Sequence, residues 1–284
     1  MKTRILTALL LCFSLAACAM TSAFWAGALR GRPTLAYGSQ ATNQLTYQHG
    51  DTTAVSISVM GQSMEVSQSG VATYGVVFSS APGGVGVRMS LQDLEASITQ
   101  PMGAPIQLDE SGVQGDLTFV MGRAGNTVSI GERPAVTDET SQMISGLSLA
   151  YMFFPGLPGI GAVVGDSWVD TVSFEGEDGP GMRSETSVLT YVMEGDTVVA
   201  GRALLRISFS GTSSSEQDLE MGGMDIHQES EAEVLGYVLW DHKESIMFEH
   251  HRVATGSGTL RLPIMPIAIP MDVVSTQHTR LEDM

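Results

Sequence analysis

The sequence predicts an all-β, mainly antiparallel domain: a strongly curved sheet or half-barrel of about ten to thirteen strands, with one central helix near residues 137–154. Three observations carry that expectation. From about Tyr37 onward apolar residues recur at every second position, the period of a strand with one buried face. Clusters containing Gly, Pro, Asn and Asp interrupt these runs at short intervals, as hairpins require. One stretch alone changes to steps of three and four residues.

The strands can be read in order. Val55, Ile57 and Val59 alternate with Ser56 and Ser58, and Val85, Val87, Met89 and Leu91 with Gly86, Arg88 and Ser90. Leu117, Phe119 and Met121 continue the pattern. Beyond the helix come Leu205, Ile207 and Phe209, then Leu235, Tyr237 and Leu239, then Ile246 and Phe248, and finally Leu260, Leu262 and Ile264. Pro82-Gly83-Gly84, Gly125-Asn126, Gly222-Gly223 and Gly256-Ser257-Gly258 are among the turn signals between them. The helical stretch opens with Asp138 and Glu139, which suit the positive end of a helix dipole. Met143, Ile144, Leu147, Ala150, Tyr151 and Phe154 share its apolar face, and Pro155-Gly156 stops it. The chain's 17 methionines suit an aliphatic inner face, enclosing either a solid core or an apolar cavity whose mouth the helix and the Phe153–Leu157 loop border.

The N-terminus reads as an export signal. Lys2 and Arg4 precede an apolar stretch over residues 5–17, too short for the ~20 residues of a membrane-spanning helix. It ends in Leu15-Ala16-Ala17-Cys18, which resembles the lipobox of bacterial lipoproteins. The resemblance implies a signal peptide over 1–17, acyl chains such as palmitate on Cys18, a lipid-anchored tether over 18–36 and a single β-rich domain over 37–284. Ala19 follows the cysteine where an Asp would retain such a protein in the inner membrane, which implies the outer membrane, facing the periplasm. An ordinary secretory signal cut after Ala19 is the alternative. The mature domain also resembles the half-barrel envelope lipoproteins and carriers of the lipoprotein-localisation-factor class. The run Phe153-Phe154-Pro155-Gly156-Leu157-Pro158, with Gly165-Asp166-Ser167-Trp168 after it, resembles an uncharacterised family of exported bacterial proteins. Neither resemblance carries a functional residue onto this chain.

Composition narrows the function further. Lys+Arg is 14 against Asp+Glu 31, a net charge of −17, which excludes nucleic acid because phosphate binding needs clustered cations. Both cysteines, Cys12 and Cys18, lie at the N-terminus, so the domain holds no disulfide, thiolate metal site or cysteine nucleophile. No Gly-x-Ser-x-Gly elbow or Walker loop occurs, and Gly159, Gly161 and Gly165 lead into a strand instead of a helix. His242, His250 and His251, with Glu249, form a conceivable zinc or calcium cluster, but polar strand ends pair without any ligand. Asp225, His227, Glu229, Glu231 and Glu233 share one strand face, expected to meet solvent and to blunt a sheet edge. Glu175-Gly176-Glu177-Asp178-Gly179 reads as an acidic turn without the ordered spacing of a calcium loop. The expectation is therefore a non-enzymatic envelope lipoprotein with no cofactor, no metal and no catalytic residue, anchored to the membrane through Cys18. Its half-barrel would bind or shield an apolar, lipid-like ligand. A structural lipoprotein with a solid core and a protein-partner surface is the alternative, and a hydrolase the third reading.

Cys18→Ser should abolish membrane attachment and block processing before that residue. Fractionation and intact mass check this, and a soluble, unacylated wild-type chain beginning at Met20 overturns the lipobox reading.

Overall fold

The structure, a computed structural model, describes residues 32–38, 44–59, 61–101, 103–178, 181–221, 224–263 and 267–282. The expected signal, Cys18 of the expected lipobox and most of the expected tether lie outside the described residues. The chain from Thr34 to Met284 forms one compact unit.

Two runs of antiparallel strands make its sheet. The first comprises β1 (Gln44–Val59), β2 (Gln62–Ala81), β3 (Gly84–Thr99), β4 (Ile106–Leu108), β5 (Val113–Gln114), β6 (Leu117–Met121), β7 (Thr127–Ile130) and β8 (Ala135–Val136). The second comprises β9 (Ser167–Asp178), β10 (Gly181–Val199), β11 (Arg202–Met221), β12 (Met224–Asp241), β13 (Ile246–Arg261) and β14 (Ile269–Leu281). The main sheet has 12 strands in the order β7-β6-β3-β2-β1-β14-β13-β12-β11-β10-β9, with β4 also on β3, while β5 and β8 pair separately. Hairpins connect nearly every neighbour, and register pairs such as Ala81↔Gly84 and Val199↔Arg202 leave two residues in the turn. One exception is β3 with β6, which have β4 and β5 between them in the chain; the other joins the two halves. First and last strands pair side by side from Tyr47↔Leu281 to Ile57↔Met271. The sheet curls without closing, so the half-barrel expected from the sequence is the fold observed.

Bulges set which residues face inward. Val85, Val87 and Met89 are buried as expected, but the register shift between Thr73 and Tyr74 moves the inward set on β3 to Leu94, Ala96 and Ile98. On β12 the expected face is reversed before the register shift at Leu239/Trp240: Val234 and Val238 are buried and Leu235 is 58% exposed, whereas Leu239, as expected, and Trp240 are both buried. Every residue from 234 to 240 is apolar or Gly, so alternation there cannot choose a face. Packing chooses instead: a Cβ on Gly236 would meet Phe209 at 2.5 Å, so the only residue without a side chain sits beneath that ring.

The helical stretch is present but bent, as α1 (Asp138–Ser141) and α2 (Gly146–Met152). The first ends at Ser141 with Gln142 as its C-cap; Ser145 adopts extended backbone and its hydroxyl accepts the Ser148 N–H, an N-cap that starts the second. The same hydroxyl donates to Asp178 on β9, which pins the restart to the sheet edge.

After α2 the chain turns into the concave face. Phe153 and Phe154 enter it edge-on to Tyr47, Tyr74 and Tyr37 at centroid distances of 5.7, 5.9 and 5.6 Å, and Tyr37 meets Trp240 at 4.9 Å. Such pairs add about 0.5–1.5 kcal/mol each beyond area burial. The phenol of Tyr37 donates to the Pro155 carbonyl at 3.0 Å, and Trp168 Nε1 to that of Gly156 at 3.2 Å. Two expectations change here. Phe154 and Leu157 are core residues and do not border a mouth. Residues 34–36 are not tether: Leu35 and Ala36 are buried, and Thr34 bridges to Gly161.

Gly125 permits this insertion. It has φ +91°, and a Cβ there would lie 2.7 Å from the Pro155 carbonyl oxygen and 2.9 Å from the Tyr37 ring. Gly201, at φ +79°, faces open space. Gly201→Ala should cost about 1–3 kcal/mol through strain alone, and Gly125→Ala clearly more, because backbone must also move. Urea unfolding of both variants measures the difference, and equal losses would show that the insertion tolerates displacement.

Candidate functional site

The inserted segment fills only one end of the concave face. Beyond Phe153 the sheet and the bent helix enclose a cavity of about 590 Å³, inside the ~300–1,000 Å³ range of small-molecule sites. Met143, Ile144, Leu149 and Met152 form an apolar roof, and Met143 reaches across to Gly70 of β2. The opposite wall is the sheet, contributed by β1 to β3 and β10 to β14.

That wall differs from the aliphatic, Met-rich face expected. Next to the core runs a polar belt. Glu185 of β10 accepts from Arg183 at 3.0 Å and from the Ser213 hydroxyl at 3.1 Å, with Arg252 of β13 3.8 Å away. Ser187 donates to Ser213 at 2.8 Å. Across β14 and β1, Arg252 donates to Gln277 at 3.5 Å, Gln277 to Asp51 at 2.8 Å, and His49 pairs with Thr279 at 2.7 Å. Glu185, Arg252 and His250 are each more than nine-tenths buried. Charges so deep persist only when paired and hydrogen-bonded, which this belt provides. Farther out the wall becomes hydroxyl- and amide-rich, with Thr53, Ser215, Ser230, Ser275 and Gln228, and ends in Val55 and Val273.

The histidines separate. His250 points into the cavity, while His251 faces the convex side, where it stacks on Tyr237 at 5.4 Å. There Glu249 accepts from Tyr237 at 2.6 Å and pairs with His278 at 3.2 Å. Burial, with the Glu249 hydrogen bond, pushes the Tyr237 phenol up to about 12. The hairpin pairs Leu239 with Glu249 and Asp241 with Ile246, leaving His242 in the turn. So the three histidines do not converge, and no group of three or more His, Cys, Asp or Glu suited to a metal occurs among the described residues.

Two acidic segments also differ from their sequence reading. Residues 175–178 belong to β9 and ladder with β10; they are strand, not turn. The face carrying Asp225, His227, Glu229, Glu231 and Glu233 is convex, but β12 is paired on both sides and blunts no edge. His227 relieves its repulsion by bridging Asp218 at 2.7 Å and Glu229 at 2.8 Å, which together raise the imidazole's affinity for its proton. Its alternate residues Gln228, Ser230 and Ala232 line the cavity. Leu147, expected at a cavity mouth, instead presses on β9, its Cδ1 3.2 Å from where a Cβ on Gly176 would lie. Sequence reading missed Glu185, Arg183 and Arg252; one signal for them is the polar alternation Arg183-Glu185-Ser187 on a strand otherwise continuing into Leu189 and Tyr191.

No protein-family profile and no curated protein sequence matches the chain. Among solved structures it is similar to lipovitellin, at TM-score 0.41 and 11% identity over 84% of this chain and 25% of that one. It is similar to the beta domain of the Bordetella autotransporter BrkA, at 0.26 and 9% over 86% of this chain and 100% of that one. The third is Pseudomonas aeruginosa OccK5 (OpdH), at 0.25 and 7% over 84% and 98%. The chain spans about a quarter (25%) of the lipovitellin chain it matches, and all three similarities concern backbone arrangement alone.

Burial first, and the neighbouring Arg252 charge second, push the His250 imidazole down to about 3. The folded chain therefore refuses a proton that the unfolded chain takes up below its ordinary value near 6.5. Stability is unaffected by His250 above that pH and falls as pH drops from about 6.5 toward 3, by about 2 kcal/mol at pH 5. His250→Gln should have a shallower loss between pH 6.5 and 5 by urea unfolding; parallel curves would show that the imidazole reaches solvent.

Proposed function

We propose that this protein is a lipid-anchored, non-enzymatic envelope protein whose half-barrel holds a lipid-like ligand between the bent helix and the sheet. The cavity under the roof of Met143, Leu149 and Met152 carries this reading. Met side chains suit ligands of irregular shape, because the thioether chain repacks at low cost. The anchor is Cys18, by its lipobox context, and the outer membrane facing the periplasm is the proposed location. Among the described residues no helix is long and apolar enough to cross a membrane. Acyl chains on the cysteine would supply attachment, each buried CH₂ adding about 0.8 kcal/mol, since a surface of net charge −17 is repelled by anionic headgroups.

The neutral dye N-phenyl-1-naphthylamine should bind the mature chain lacking its acyl groups. Met152→Asp places a carboxylate on the cavity roof, so dye affinity should fall at least tenfold while the urea midpoint is largely kept. Leu147→Asp, with its charge against β9, should instead lose several kcal/mol. Absence of wild-type dye binding would remove the carrier reading.

A further inference from the structure

The cavity's chemistry, if it is a carrier site as proposed above, goes further than an apolar ligand. Among the described residues six buried side-chain atoms lack a hydrogen-bond partner, and three of them belong to residues that line this cavity: Arg252 Nε, His250 Nε2 and Ser148 Oγ. A buried polar group left unsatisfied has given up its hydration without a bond in return. Two of the three side chains are nine-tenths buried, sit two residues apart on one face of β13 and project from the same belt.

The three differ in what they ask for. Arg252 Nε–H can only donate. His250 is held neutral by burial and the neighbouring Arg252 charge, so its unpartnered Nε2 donates or accepts according to the tautomer. Ser148 Oγ, across the cavity on the roof helix, can do either. A fixed donor beside two groups that can each donate or accept suits a ligand group that itself does both.

Charge leads to the same group. Arg183 and Arg252 are balanced by Glu185 and Asp51 within the belt, so no cation remains to neutralise a buried anion. Asp138 and Glu139 add negative charge to the cavity lining. Arg252 and His250 project from one strand face two residues apart, so a ligand head with more than one hydroxyl can answer both. The outer wall of Thr53, Ser215, Ser230, Ser275 and Gln228 continues the same chemistry.

We infer that the cavity selects amphipaths with an uncharged, polyhydroxylated head, of the monoacylglycerol or glycolipid class, seated on Arg252 and His250 with the acyl chain beneath the methionine roof.

The test displaces N-phenyl-1-naphthylamine from the mature, unacylated chain at pH 8, with 1-decanoylglycerol and with decanoate, each below its micellar concentration. The glycerol ester should displace the dye at a concentration at least tenfold lower than the acid. Arg252→Lys, which keeps the charge and loses Nε–H, and His250→Phe should each bring that ratio toward one while dye binding persists. Decanoate equal to or better than the ester overturns the inference, as does a ratio unchanged in both variants, or dye that binds yet yields to neither lipid. Failure of the dye itself to bind is a different result, and defeats the carrier reading instead. Should a variant not fold, the wild-type ranking still decides.

Discussion

The fold depends on the insertion of Phe153 and Phe154 into the concavity of the sheet. An open antiparallel sheet has one concave face and two edges, and nothing in its hydrogen bonding buries that face. Here the connection between the two strand runs does so. Its phenylalanines meet Tyr47 and Tyr74 from the first run, while Tyr37 carries the contact on to Trp240 of the second. The hydroxyl of Tyr47 reaches the Met247 carbonyl at 2.8 Å and so ties β1 to β13 across β14. Burial alone pushes the Tyr47 and Tyr74 phenols up, as befits groups sealed from water. The pairing of β1 with β14 closes the longest loop in the chain, so its entropy cost must be offset by contacts of this kind.

Because the insertion is short, it seals one end and leaves the other wet. That division explains the gradient along each strand. On β13 the inward residues run from Phe248 near the core through His250 and Arg252 to Ala254, and on β14 from Leu281 through Thr279 and Gln277 to Val273. The belt lies where the dielectric changes from core to cavity. A Glu–Arg pair placed deeper would lose hydration without compensation, and one placed farther out would contribute about 0–1 kcal/mol. Ser187, Ser213 and Gln277 give it the hydrogen bonds that make the intermediate position tenable. The bent helix then needs only its roof contacts to turn a half-open trough into a cavity, with Ser145 fixing its angle through Asp178.

The sequence by itself determined the all-β class, the curved sheet, the position of the helical interruption and hairpin turns such as Pro82-Gly83-Gly84, because these follow from local periods and turn residues that act over a few positions; Gly256-Ser257-Gly258, which reads as a turn, lies inside β13 and is paired on both sides. It also carries the proposal of an anchor at Cys18, a linear motif that requires no folded context. Only the tertiary structure decided which face of β12 turns inward, since an unbroken apolar run carries no phase until Phe209 claims the space over Gly236. It alone turned Phe154 and Leu147 from expected cavity residues into core, and separated His250 from its neighbour His251. The polar belt was beyond sequence reading for the same reason: Glu185, Arg252 and Asp51 come from strands up to about 200 residues apart and each alternates plausibly as an outward residue. Which side of a strand faces a cavity is set by pairing registers, bulges and the segment that fills the core, and those are long-range contacts with no signature in any local stretch of chain.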